Sequence, residues 1–171
     1  MSRELLKDYL SRCVEHINKT GFSKHSVGGF YEYRAEFDGV PITIFEKDPY
    51  PDPKRTASVR AYVIQNDDFT GLEVVILGVK WPECMGSVVH EMVHIYQIKH
   101  TNMDIYKYQS LKNYGDVSTI VRHVVEYSAY VAQAAYTGDF SMIYRLTRRE
   151  YRVALKDACR YRRHLTKLRM F

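Results

Sequence analysis

Near the N-terminus, apolar residues recur every three or four positions, which is the period of a helix with one buried face. This spacing predicts a helix over residues 3–19, followed by Gly21 as the glycine that ends it. After residue 22 the period changes to two, which is typical of strands. FYEYRAEF alternates in this way, and VPITIFEK, ASVRAYVIQ and LEVVILG are also predicted to be strands, with a hairpin signal at Asp38–Gly39 between the first two segments.

From residue 83 onwards the pattern is helical again. Three helices are predicted, over residues 83–100, 117–137 and about 140–165. The order of elements indicates an α+β fold with an N-terminal helix, about four strands in a mostly antiparallel sheet, and then these three helices. A chain of 171 residues is long enough for one domain, so residues 1–171 are predicted to form a single domain.

The composition indicates whether the protein is globular, membrane-spanning, secreted or rich in disulfides. The hydrophobic content of 46% and the charged content of 26% are those of an ordinary globular protein. No apolar run is long enough to cross a bilayer, and the N-terminus lacks the apolar core of a signal peptide, so we expect a cytoplasmic protein with no membrane partner. The three cysteines are too far apart to indicate a disulfide framework or a cysteine-based zinc finger.

The formal net charge of +5 is unevenly distributed. Residues 145–171 contain ten Lys or Arg and two acidic residues, which gives this segment a charge of +8. A basic helix of this kind is a candidate contact for nucleic-acid phosphates, and a solvated face is the alternative. The arginines of this candidate contact are Arg148, Arg149, Arg152, Arg160, Arg162 and Arg163.

The strongest chemical signal is HEMVH at residues 90–94, within the helix predicted over residues 83–100. His90 and His94 are four residues apart, so on a helix they point to the same side and their imidazoles can bind one metal ion. Glu91 lies about 100° further round the helix, where it can act as the general base toward a metal-activated water. The neighbouring positions are apolar, and buried imidazoles and carboxylates need a partner such as a metal ion.

A catalytic zinc site needs a third protein ligand. Glu126 stands among apolar residues in the helix predicted over residues 117–137, and we favour it as that ligand. His123, one turn earlier, is an alternative ligand or a neighbour that orients Glu126, and His100 is a ligand only if the motif helix ends early. Tyr130, one turn after Glu126, is the candidate donor to the negative charge that develops in the transition state, with a core tyrosine as the alternative.

The segment HEMVHIYQ followed by EYSAY resembles the zincin metallopeptidases whose third ligand is a glutamate, the gluzincins, and the small size resembles the minigluzincins. The E-x-x-A pattern at Glu126 is similar to the ImmA/IrrE-like peptidases. The SprT-like proteases are also similar, but their third ligand is a histidine shortly after the motif, and no histidine of this chain stands at the expected position. Thermolysin-like members have an acid where this chain has Tyr130. The resemblance covers residues 58–136.

The resemblance implies a zinc ion held by His90, His94 and Glu126, with Glu91 as the catalytic base. We therefore expect a zinc-dependent metallopeptidase that hydrolyses peptide bonds in a protein or peptide substrate. Zincins bind an extended peptide at a sheet edge, and LEVVILG is the candidate edge strand. The alternative is a nucleic-acid- or partner-binding protein with structural zinc, or a protease that acts on nucleic-acid-associated proteins. The presence of Glu91 favours the peptidase, because a structural site does not need this residue.

Overall fold

The computed structural model describes residues 5–49, 60–65, 71–78, 82–100 and 115–141. The chain divides into two compact units, Met1–Ile95 and Tyr96–Phe171. Among the described residues, the first unit contains one helix, all the strands given below and most of a second helix. The described part of the second unit contains the end of that helix and a third helix. The helices are α1 (Leu6–Thr20), α2 (Met85–His100) and α3 (Gly115–Thr137). The single domain over residues 1–171 stays a prediction.

Helix α1 is amphipathic, as its spacing predicts. Tyr9, Cys13 and Ile17 occupy one stripe at four-residue steps and are all at most 1% exposed. The stripe faces the sheet, where the ring of Tyr9 meets the ring of Phe37 edge-on at 5.3 Å between centroids. The helix ends where expected, because Gly21 has a φ of 68° and its N–H donates to the carbonyl of Ile17 at 2.8 Å.

Five strands form one mixed sheet in the order β1-β2-β3-β5-β4. Three of the four pairings are antiparallel, and the pairing of β3 with β5 is parallel. The predicted α+β fold with an N-terminal helix and a mostly antiparallel sheet is therefore confirmed. The strands are β1 (Ser23–Val27), β2 (Phe30–Phe37), β3 (Val40–Phe45), β4 (Arg60–Gln65) and β5 (Leu72–Leu77).

Strand β1 is not among the four predicted strands. All five of its residues are exposed, so its sequence, SKHSV, has none of the apolar–polar alternation that marks a half-buried strand. The strand forms because Gly28 and Gly29 both have positive φ, 54° and 86°, and turn the chain back into a hairpin with β2. The side chain of Ser23 adds a hydrogen bond to the carbonyl of Arg34 at 3.1 Å.

The prediction that LEVVILG is an edge strand is wrong. This segment is β5, which pairs with β3 on one side and with β4 on the other. Residues 74–77 form a continuous apolar run and are at most 6% exposed, which is typical of a strand covered on both faces. Among the described strands, β1 and β4 end the sheet.

The boundaries of α2 and α3 lie within two residues of the predicted ones. The helix predicted over residues 140–165 lies almost entirely outside the described residues. At its expected start, the backbone N–H of Ser141 donates to Asp139 Oδ1 at 2.9 Å, which is the kind of contact that an N-cap side chain makes. Across the described ranges, no helix is both long and apolar enough to cross a membrane.

Candidate metal centre

The motif helix α2 is buried round most of its circumference. Its apolar residues on both sides of the histidines are at most 3% exposed, and they are Val88, Val89, Met92, Val93 and Ile95. Two polar residues of the motif are buried with them, since His90 is 8% and Glu91 is 4% exposed. A polar side chain at this depth is costly unless a partner replaces its lost hydration.

The two histidines of the motif lie next to each other, as their four-residue spacing predicts. The centroids of the His90 and His94 rings are 5.2 Å apart, and the ring planes make an angle of 74°. Both side chains project from the same side of α2, so their nitrogens can reach a common point. His90 is buried and His94 is half-buried, which leaves one side of the pair nearer to solvent.

Glu126, on α3, completes a group of three ligand residues. His90, His94 and Glu126 each offer one ligand atom, and these atoms all lie within 4.8 Å of one another. When a tetrahedral ion binds its ligand atoms at ~2.05 Å, those atoms are about 3.4 Å from one another. Small side-chain movements would therefore bring all three atoms within bonding distance of one ion. Two imidazoles and a carboxylate are a common donor set for divalent transition metals. This group can therefore bind a metal ion.

Gln97 is a residue of this region that the motif analysis missed. It is 6% exposed, and its Nε2 donates to the backbone carbonyl of Val125 at 3.4 Å. Val125 directly precedes Glu126, so this hydrogen bond joins the end of α2 to α3 beside the third ligand. The signal in the sequence is a glutamine three residues after His94 in an otherwise apolar stretch.

The predicted catalytic base lies beside the ligand group. Glu91 Oε1 is 3.9 Å from His90 Nε2, which is too long for a hydrogen bond but close enough for a water between the carboxylate and the ligand atoms to contact both. Glu91 is not one of the three converging ligands. The structure thus brings Glu91 close to the ligand group, and its role as a base stays a prediction.

The other candidate residues have different positions. His100 is the last residue of α2, and its ring stacks on Tyr96 with 4.9 Å between centroids, so it does not join the three ligands. His123 lies in the first half of α3, and its side chain is outside the described part of the structure. Tyr130 is half-buried, one turn after Glu126, and its role as a charge-stabilising donor stays a prediction.

Cys84 precedes α2 by one residue and is not a member of the ligand group. It is 1% exposed, and burial raises the pKa of its thiol to about 12, so the thiol is protonated at neutral pH. A cysteine binds a metal as the thiolate, which this environment disfavours. The six arginines of the predicted nucleic-acid contact lie outside the described residues, so that contact also stays a prediction.

Comparison of the chain with family models, with curated proteins and with solved structures finds no match in any of the three. The case for a metal centre therefore rests on the convergence of His90, His94 and Glu126.

Proposed function

We propose that this protein is a zinc-dependent peptidase that resembles the gluzincins. The observation that carries the proposal is the convergence of His90, His94 and Glu126 within 4.8 Å. The position of Glu91 beside His90 supports hydrolysis over a purely structural site, because a structural zinc needs no additional carboxylate. The substrate class that fits this chemistry is a protein or peptide.

Zinc is the metal that this donor set favours in a peptidase. Catalytic zinc sites use three protein ligands, of which two histidines and a glutamate are one established set, and leave the fourth position open. The partial exposure of His94 and Glu126 is compatible with such an open position. The same donors also suit Fe(II), so analysis of the metal distinguishes a hydrolytic from an oxidative site.

In a peptidase, bound zinc supplies polarisation of the scissile carbonyl and a water of lowered pKa. The carboxylate of Glu91 would accept a proton from the attacking water and deliver it to the nitrogen of the departing amine. The burial of Glu91 keeps bulk water away from that carboxylate. The hydroxyl of Tyr130 is the proposed hydrogen-bond donor to the substrate carbonyl oxygen as it becomes negatively charged, because Tyr130 follows Glu126 by one helical turn.

The first test is the metal content of the protein purified without added metal. We expect about one zinc per chain, and elemental analysis should also quantify iron and manganese. A wild-type protein that binds no metal when zinc is supplied would refute the proposal. Iron in place of zinc would replace the peptidase with a redox enzyme.

The ligand set is tested by comparing Glu126→Ala with His123→Ala. Removal of Glu126 leaves two protein ligands, so we expect the zinc affinity to fall sharply. Removal of His123 should have the smaller, about 10–100-fold effect of a residue that orients a ligand. If His123→Ala loses zinc while Glu126→Ala retains it, the ligands are three histidines. The SprT-like comparison would then replace the gluzincin one.

The catalytic step is tested with Glu91→Gln, which keeps the shape of the side chain but cannot accept the proton. We expect this variant to keep its zinc and its fold and to cleave about 10²–10⁴ times more slowly than the wild type. Cleavage is measured by mass spectrometry of a peptide library. Glu83→Gln, at an exposed position just before α2, is the matched control. Zinc binding with no cleavage by the wild type would instead favour a structural zinc in a binding protein.

A further inference from the structure

Gln97 lies on the same stripe of α2 as the two histidines. Taking His90 as the reference, His94 is displaced by about 40° round the helix and Gln97 by about 20° in the other direction. The three side chains therefore follow one another along one face at steps of four and three residues. This is the face on which Glu126 completes the ligand group.

Gln97 forms a hydrogen bond to the main chain of α3. Its Nε2 donates to the carbonyl oxygen of Val125 at 3.4 Å, and the two residues are 6% and 3% exposed. Val125 is within α3, where its carbonyl also accepts the helical hydrogen bond from four residues later, so the amide of Gln97 uses the second lone pair. A buried amide group that lost this acceptor would have no water to replace it.

From this geometry we propose that Gln97 is a positioning residue that holds Glu126 in place for metal binding. A backbone carbonyl has a fixed place along its helix, so the hydrogen bond to Val125 defines the position of α3 along the end of α2. A shift of α3 by one residue would move that carbonyl by ~1.5 Å and break the bond. Gln97 acts on Glu126 through the adjacent peptide group and does not itself bind the metal.

This inference rests on the proposed metal site but concerns a different residue and a different measurement. Gln97→Met keeps a long unbranched side chain and removes the donor. We expect the variant to fold and its zinc affinity to fall about tenfold, the lower end of the effect of residues that orient a ligand, because the 3.4 Å contact is long. Affinity is measured by competition with a chromogenic zinc chelator. Gln97→Leu, which also removes the donor, repeats the test if Gln97→Met does not fold.

The control separates positioning from a general loss of packing. Ile95 is fully buried on the opposite side of α2, about 140° from His90. Ile95→Val should lower the melting temperature of the metal-free protein and leave the zinc affinity of the folded protein unchanged. If Gln97 had only a structural role, its variant would behave as the Ile95 variant does. Zinc affinity is therefore the measurement that distinguishes a positioning role from a structural one.

A double-mutant cycle tests whether Gln97 affects zinc affinity through Glu126. If Gln97 acts through Glu126, then Gln97→Met should cost about tenfold in the wild-type background and nothing further in the Glu126→Ala background. An equal loss in both backgrounds, or wild-type affinity in Gln97→Met, would overturn the positioning role. Failure of the wild type itself to bind zinc would refute the proposed function instead, so the two failures are distinguishable.

Discussion

Helices α1 and α2 have fifteen and sixteen residues, but they differ in the burial of their polar side chains. In α1 the buried residues form one stripe, and the charged side chains lie on the remaining, solvated surface. In α2 the helix is buried nearly all round, and His90, Glu91 and Gln97 are buried with it. A polar residue in α1 needs only water, whereas each of these three needs a partner inside the protein. Burial of the whole helix therefore places three polar residues, which include one of the candidate ligands, where water cannot serve as that partner.

The largest expected difference between the two helices is in metal binding. His94→Ala on α2 removes one of three ligands, so we expect the zinc affinity to fall on the order of a thousandfold or more, which is at least ~4 kcal/mol. Zinc should then no longer raise the melting temperature, because that stabilisation depends on binding to the folded state. His16→Ala, the same substitution at an exposed position of α1, is the control. Equal affinities of the two variants would remove His94 from the site.

The next largest effect is expected on stability, from α1. Ile17 is fully buried, so Ile17→Ala loses apolar burial and leaves a cavity beside the sheet. We expect the free energy of unfolding of the metal-free protein to decrease by about 2–5 kcal/mol in urea titrations. The zinc affinity of the folded protein should be unchanged. A change in affinity would show that α1 supports the metal site as well as the core.

An effect that is smaller for each unit of pH is expected at alkaline pH, from the buried thiols of Cys13 and Cys84. Burial raises the pKa of Cys13, in α1, and of Cys84, before α2, from the ordinary 9.0 to about 12. Above pH 9 the unfolded chain loses these protons and the folded chain keeps them. The stability that these thiols contribute is therefore complete below pH 9 and is lost as the pH rises from 9 toward 12.

The measurement is the free energy of unfolding as a function of pH. Each buried thiol should contribute a decrease of up to about 1.4 kcal/mol per pH unit, which is steepest in the middle of this range. Cys13→Ala and Cys84→Ala should each make the decrease less steep. An unchanged slope in both variants would show that other groups cause the alkaline loss of stability.

The smallest effect is expected on the exposed face of α1. Ser11 is exposed, and its hydroxyl donates to the carbonyl of Lys7 at 2.9 Å within the helix. Ser11→Ala should change the free energy of unfolding by less than about 0.5 kcal/mol, because water replaces this bond and alanine favours the helix. A loss of more than 1 kcal/mol in urea titrations would contradict the contrast between a solvated and a buried helix.

The sequence was most informative where structure depends on neighbours along the chain. The spacing of His90 and His94 defines a shared helix face without any knowledge of the fold. Glu126 is 32 residues from His94, and its apolar surroundings in a helical segment favour it over His123 and His100 as the third ligand. Its ligand atom lies within 4.8 Å of those of the two histidines, and its role as the third ligand stays a prediction.

What the sequence did not indicate depends on contacts between distant segments. The position of β5 inside the sheet follows from its pairing with β3, and the periodicity of LEVVILG carries no information on which strands flank it. Strand β1 is exposed on both faces, so its residues do not show the apolar–polar alternation of a half-buried strand. The hydrogen bond of Gln97 to α3 is accepted by a backbone carbonyl, which has no signature in the side-chain sequence.

The parallel pairing of β3 with β5 bears on the order in which the protein folds. Strands β1, β2 and β3 are joined by two-residue turns, so their contacts close only short loops. The partners Ile42 and Val74 are 32 positions apart, and β5 can join only after a much longer loop has closed. Since non-local contacts of this kind form slowly, we expect the three-stranded meander to appear first. The motif helix follows β5 in the chain, so the candidate metal ligands should assemble late, after most of the sheet has formed.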